Sequence, residues 1–103
     1  MTWAYVLTNA AEADLRAVIR YTRRRWGDAQ AHRYVAQLRT CAEALAAGDG
    51  AHRSMADLHP GLRMVRCEHH YIFCLPRPDA PALIVAILHE RMDLLTRIKG
   101  RLR

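Results

Sequence analysis

The stretch from Ala82 to Leu88 is apolar without a break, and it gives way at once to His89-Glu90-Arg91-Met92-Asp93. No other feature constrains the fold of this chain more. A short, continuous apolar run between a proline-rich segment and a charged one reads as a fully buried, central strand. Such a strand needs partners in a sheet and cover from other elements. The rest of the sequence has to supply both.

The cover comes from the N-terminal half. Leu15, Val18, Ile19, Thr22 and Trp26 recur at helical spacing and form one apolar stripe, with Arg16, Arg20, Arg23 and Arg24 falling away from it. Thr8 or Asn9 is placed to cap this helix, and Gly27 to stop it. Asp28 then caps a second helix with the stripe Ala31, Tyr34, Val35, Leu38, Ala42 and Leu45, which runs to Gly48. So short a link folds the two helices into an antiparallel hairpin. The segment from Gly48 to Gly61 reads as a loop with one helical turn near Met55 to Leu58.

The sheet partners come from elsewhere. Trp3 to Thr8 reads as a short first strand. Leu62 to Cys67 and His70 to Leu75 read as two more, joined by a tight turn at Glu68-His69. Pro76, Pro78 and Pro81 interrupt the ladder before the buried strand, because proline has no N–H to give it. Residues 93–102 form a short final helix capped by Asp93. The fold class is α+β, in the order β-α-α-β-β-β with a short C-terminal helix. The helical hairpin packs on a mainly antiparallel sheet within one domain spanning residues 1–103.

Charge and composition narrow the function. The net charge is +6 and the isoelectric point about 9.9. Lys99 is the only lysine, so the positive charge is carried by arginine, which suits carboxylate or phosphate partners. An acidic partner follows from this, but DNA in particular does not. No apolar run is long enough for a membrane span and no signal segment opens the chain, which points to the cytoplasm. Cys41, Cys67 and Cys74 have no CxxC spacing and sit among apolar residues, so three reduced, buried thiols are expected.

Ordinary enzyme equipment is sparse. His89-Glu90 fails as a zinc-protease motif because Asp93 stands where the second histidine belongs. His52, His59, His69 and His70 lack metal-ligand spacing with a cysteine, so no metal and no cofactor is expected. Ser54 is the only serine, and no glycine-rich phosphate loop exists. What remains is a polar set at the end of the sheet: Arg63, Arg66, Tyr71, His89, Arg91 and Asp93. An arginine, a tyrosine and a histidine are the residue types for RNA cleavage, holding the phosphate and moving the protons. The simpler reading is a polar surface that holds a partner or is only solvated.

Several stretches together resemble a known family. YVLTNAAEADLRAVIRYTRRRWG, GDAQAHRYVAQL, PGLRMVRCEHHYIFCL and IVAILHERMDL follow one another as in the ParE toxins of the RelE/ParE superfamily, the toxin halves of bacterial type II toxin–antitoxin modules. The resemblance spans nearly the whole chain, and LHERMD after an apolar strand is its most specific part. It implies an acidic antitoxin, ParD-like or of another kind, encoded beside the toxin and wrapped around it in a hetero-oligomer. It also implies a toxin that binds DNA gyrase and blocks it without catalysis of its own, serving plasmid or chromosomal stabilisation. Direct sequence-specific DNA binding by the toxin alone is not expected.

On this reading the target-binding surface is Arg66, Tyr71, His89, Arg91, Met92, Asp93, Arg97, Lys99, Arg101 and Arg103. The antitoxin-binding surface is Arg16, Arg20, Arg23, Arg24 and Trp26. Removing the chain beyond Leu95 is expected to abolish toxicity and spare antitoxin binding. Two alternatives stand beside it. One is a ribosome-dependent mRNA endoribonuclease of the RelE type using Arg63, Tyr71 and His89. The other is an inactive homologue that only binds antitoxin.

Overall fold

The computed structural model describes residues 4–102. The elements run β1 (Tyr5–Leu7), α1 (Asn9–Trp26), α2 (Asp28–Ala47), β2 (Arg53–Ser54), β3 (Arg63–Cys67), β4 (His70–Arg77), β5 (Ala80–His89) and α3 (Leu94–Arg101). The five strands form one sheet in the order β1-β5-β4-β3-β2. Only β1 and β5 are parallel; the other pairs are antiparallel. This is the α+β class expected from the sequence, with one correction to the element order: the segment read as a loop contributes the two-residue edge strand β2, too short to show a period of its own.

Local chemistry sets the helix ends. Thr8 takes the N-cap of α1, its hydroxyl accepting from the Ala11 N–H at 3.1 Å. Gly27, at φ 92°, both ends α1 and begins α2, so Asp28 is the first helical residue rather than the cap. Its carboxylate instead pairs with Arg23 at 2.9 Å across the corner. The single residue between the helices forces them back on each other, and their apolar stripes meet one face of the sheet. Trp26, expected in the stripe of α1, is 65 % exposed because it lies on the last turn, at the corner beyond the sheet. The Trp3 end of the first expected strand lies outside the described residues.

β5 is apolar throughout because both its faces are covered. Ala82, Ile84 and Ile87 face the helical hairpin, with Val18, Leu38, Ala42 and Leu45. Val85, Ala86 and Leu88 face a second cluster with Leu62, Phe73 and Ile98, flanked by Met55 and Leu58. α3 and the turn at Met55–Leu58 therefore close the face that the hairpin leaves open. The register explains the adjacent Val85 and Ala86 on one side. Cys74 pairs with Ile84 and Phe73 with Ala86, so Val85 is a bulge residue.

Two expectations are corrected here. The prolines do not end the ladder: β4 runs to Arg77 and β5 starts at Ala80, with a tight turn at Pro78-Asp79. A register irregularity between Leu75 and Arg77 takes up Pro76, so its missing N–H breaks no regular pair. The cysteines are not all free either. Cys41 on α2 lies over Cys67 on β3 with 6.3 Å between Cα atoms, and the two form a disulfide; Cys74 alone is free, and buried. Packing one element on the other brings the pair together, which no spacing in the sequence could announce.

The bulge also turns backbone groups of β5 toward an edge that β1 is too short to pair. β1 bonds β5 only as far as Thr8 N–H to Ile84 O, 3.1 Å. Beyond that point, Asp14 of α1 accepts the Ile87 N–H at 3.0 Å. Arg101 of α3 donates to Val85 O at 3.0 Å and holds the Asp14 carboxylate with both guanidinium nitrogens, at 2.9 and 2.8 Å. Removing either charge strands the other next to the core. Asp14→Ala should lower the unfolding free energy by about 3 kcal/mol, measured by urea denaturation. An effect within about 0.5 kcal/mol would mean that the pair is dispensable.

Candidate functional site

The charged exit after β5 meets the β3–β4 turn at one end of the sheet. His70 and His89 are directly paired across β4 and β5, and their rings meet edge to face at 5.1 Å. Tyr34 reaches them from α2. Its hydroxyl accepts from the His69 N–H at 3.2 Å and donates to His70 Nδ1 at 2.6 Å. Glu68 takes a left-handed backbone, φ 56°, to close the tight turn.

Glu90 ties the turn to the exit. Its carboxylate accepts from Arg66 at 2.7 Å and from His69 Nδ1 at 2.8 Å, while its own N–H donates to His69 O at 2.9 Å. The His69 bond, and then the Arg66 charge, hold the Glu90 carboxyl below the usual carboxylate range. His89 Nδ1 accepts from the Arg91 N–H at 3.1 Å, which leaves Nε2 to carry the proton in the neutral ring. Asp93 caps α3, accepting from the Thr96 N–H at 3.3 Å and its hydroxyl at 2.8 Å. Those two bonds depress its pKa.

Beyond this network, Met92 and Leu95 are exposed large apolar side chains, 42 % and 54 %. Arg91, Arg97 and Lys99 are exposed around them. Arg101, expected on this surface, turns inward to Asp14 and Val85 instead. Arg103 lies outside the described residues. Tyr71 packs against the second core cluster, on the face opposite His89 and Tyr34.

The trio considered for RNA cleavage does not converge. Arg63 donates to Leu45 O at 3.1 Å and so caps the C-terminal end of α2. It pairs with Cys74, whereas His89 pairs with His70, so the two are about 13 Å apart along β4. Tyr71 is on the other side of the sheet. No phosphate could touch all three.

On α1 the arginines are spread around a second exposed region. Arg16 lies 3.9 Å from Glu12 and Arg23 is paired with Asp28, while Arg20 and Arg24 are exposed. Tyr21 and Trp26 are each 65 % exposed, with the Arg25 guanidinium 5.5 Å from the Trp26 ring. This combination of cations with open aromatic faces suits an acidic, amphipathic partner.

Sequence reading passed over Tyr34, His69, His70 and Glu90 as a group. Tyr34 fitted an apolar stripe, and nothing local revealed that its hydroxyl spans from α2 to the turn. The adjacent histidines in the turn were the one available signal. Among the described residues, no cluster of His, Cys, Asp or Glu is arranged to hold a metal ion. Among the same residues, no helix is long and apolar enough to cross a membrane.

Comparison with known proteins bears on the family and the fold. Residues 5–94 match the family model described as the ParE toxin of type II toxin–antitoxin system, parDE. The chain is 63 % identical over 100 residues to the toxin ParE of Escherichia coli, covering 97 % of each chain. It is 31 % identical over 94 residues to the toxin ParE1 of Mycobacterium tuberculosis, covering 91 % of this chain and 96 % of that one. A solved structure described as the chromosomal ParDE TA system from P. aeruginosa superposes with a TM-score of 0.66 at 22 % identity. That match covers 85 % of this chain and 96 % of the other, and supports the fold.

Burial makes His70 costly to protonate. Loss of water, then the charges of His89 and His69, lower its pKa from 6.5 to about 4, against weaker opposition from Glu90 and Asp14. Between those values the unfolded chain binds a proton that the folded one refuses, so stability falls as pH falls. The ring keeps some contact with water, which screens the penalty; the expected loss from pH 7 to pH 5 is about 1 kcal/mol. Urea unfolding at both pH values should show it, and His70→Asn should flatten the difference. An equal slope in the variant would assign the effect elsewhere.

Proposed function

The chain belongs to the ParE toxin family of type II toxin–antitoxin systems, and from that premise we propose that it acts by binding DNA gyrase, not by catalysis. The chain works as one toxin domain in the cytoplasm and is held inactive by a cognate acidic antitoxin. The observation that carries this reading is the separation of Arg63, Tyr71 and His89, which leaves RNA cleavage without a joint site. The exposed surface of Arg91, Met92, Leu95, Arg97 and Lys99 offers what a protein target needs instead. It has apolar anchors inside a cationic rim, held by a capped helix and a hydrogen-bonded turn.

The antitoxin takes the other surface. Arg16, Arg20, Arg23 and Arg24 with Tyr21 and Trp26 suit an acidic segment that folds as it binds. Charge steering from a chain of net charge +6 would speed that capture.

Truncation is a poor probe of the target surface. Cutting after Leu95 also removes Ile98, which is fully buried, and the Arg101 partner of Asp14. Loss of toxicity would then report unfolding. Point changes at exposed positions separate the two effects.

The decisive measurement is supercoiling of relaxed plasmid by purified gyrase with the toxin present, repeated with antitoxin. Inhibition with accumulating cleaved DNA, reversed by antitoxin, is expected. Met92→Glu with Leu95→Glu should raise the toxin concentration for half-inhibition at least tenfold while the melting temperature stays within a few degrees. A toxin that stops growth yet leaves gyrase untouched would overturn the reading and send the search to the ribosome.

A further inference from the structure

The seam between α2 and β3 serves neither proposed surface. Cys41 and Cys67 are joined there across 26 residues of sequence. The two residues differ in exposure. Cys67 is 4 % exposed and backed by the core. Cys41 is half-buried, and both cysteines line a groove of about 470 Å³ together with Ala36, Gln37, Thr40, Arg66 and Glu68, with Cys41 the more open of the two. β2 pairs only with Arg63 and Met64, so the edge of β3 beside Arg66 and Cys67 carries no further strand. Arg66, Cys67 and Glu68 of the groove wall lie beside that open edge.

We propose that Cys41 and Cys67 form a reversible thiol–disulfide site, attacked by small thiols at Cys41 through the α2–β3 groove, whose oxidation fastens α2 to β3. In the first step a thiolate attacks Cys41 Sγ. The Cys41–Cys67 bond breaks, a mixed disulfide forms at Cys41, and Cys67 leaves as a thiolate that takes a proton from water. A second thiolate attacks the sulfur of the bound small thiol. It departs as the small-molecule disulfide, and Cys41 is released and protonated. In sum, two electrons and two protons pass to the protein, and two small thiols become one disulfide.

Other features make this a site that opens within the folded protein. α2 is tied to the sheet on both sides of Cys41. Towards its start the Tyr34 hydroxyl bonds His69 and His70; at its end Arg63 bonds Leu45 O. These bonds hold the helix in place when the sulfurs part. A Cα separation of 6.3 Å lets the bridge close again without moving the backbone. Cys74 does not compete. It is fully buried among apolar side chains, and burial pushes its thiol up to about 11.

The test uses the full chain under native conditions at neutral pH, equilibrated in buffers of reduced and oxidised glutathione. Thiols are trapped by alkylation and located by mass spectrometry. Cys41 and Cys67 should become alkylated together as the buffer becomes more reducing and recover on reoxidation. The reduction rate should rise in proportion to glutathione concentration. Reduction should lower the melting temperature by about 10 °C or more while the circular dichroism at 25 °C is unchanged. Cys41→Ser should remove the response, and Cys74→Ser should keep it. Alkylation of Cys41 and Cys67 in the air-oxidised protein would overturn the proposal. So would a reduction rate that ignores glutathione concentration, because the bridge would then open only when the whole chain unfolds.

Discussion

A carboxylate on the first helix completes the hydrogen bonding of the central strand. β1 is too short to pair β5 beyond Ile84, and a bulge at Val85 turns the next backbone groups toward that empty edge. Left unpaired beside the core, the Ile87 N–H and the Val85 carbonyl would each cost about as much as a lost hydrogen bond. Asp14 takes the first, and Arg101 takes the second and neutralises Asp14. A strand, the helix that follows β1 and the last helix of the chain are thus joined at one point. The placement of α3, and with it the Met92–Leu95 surface, depends on that junction.

The same junction accounts for the abrupt change of character after Leu88. β5 is apolar while it runs between the helical hairpin and the second cluster, where Ile98 of α3 seals the far face. At His89 the strand leaves both covers at once. The side chains there meet the β3–β4 turn instead, and Glu90 holds the two together through His69 and Arg66. A cationic patch follows because α3 buries its Leu94–Ile98–Leu102 stripe and leaves Leu95, Arg97 and Lys99 outward.

Much of this was legible from local pattern. The helix stripes, the glycine at the corner, the Glu68-His69 turn and the Asp93 cap each depend on residues a few positions apart. What escaped depends on distance. Asp14 and Arg101 are 87 residues apart, and Cys41 and Cys67 are 26 apart. Neither pairing has a periodic signature. Arg101 was assigned to the target surface because a basic tail looks solvated until its partner is known. The prolines misled for a related reason: a missing N–H matters only where the register asks for one, and Pro76 falls where the register slips. Trp26 kept the helical spacing of the stripe but ran past the end of the sheet that the stripe covers.

The hydrogen bonds of the His–Tyr–Glu network occupy most of the groups that an enzymatic reading would need. A general base at work near neutrality needs a free lone pair facing a substrate and a pKa near the working pH. His70 spends Nδ1 on Tyr34 and stays neutral far below neutral pH, with a pKa of about 4. His89 spends its Nδ1 lone pair on the Arg91 N–H, whereas His69 donates its Nδ1–H to Glu90 and keeps the Nε2 lone pair open to solvent. Arg66, the cation closest to them in the network, is already bound to Glu90. Apart from the His69 Nε2, these groups are satisfied by neighbours, the pattern that fixes a turn and a strand end in one position. A surface that recognises another protein gains from such rigidity, because less ordering is left for the moment of binding.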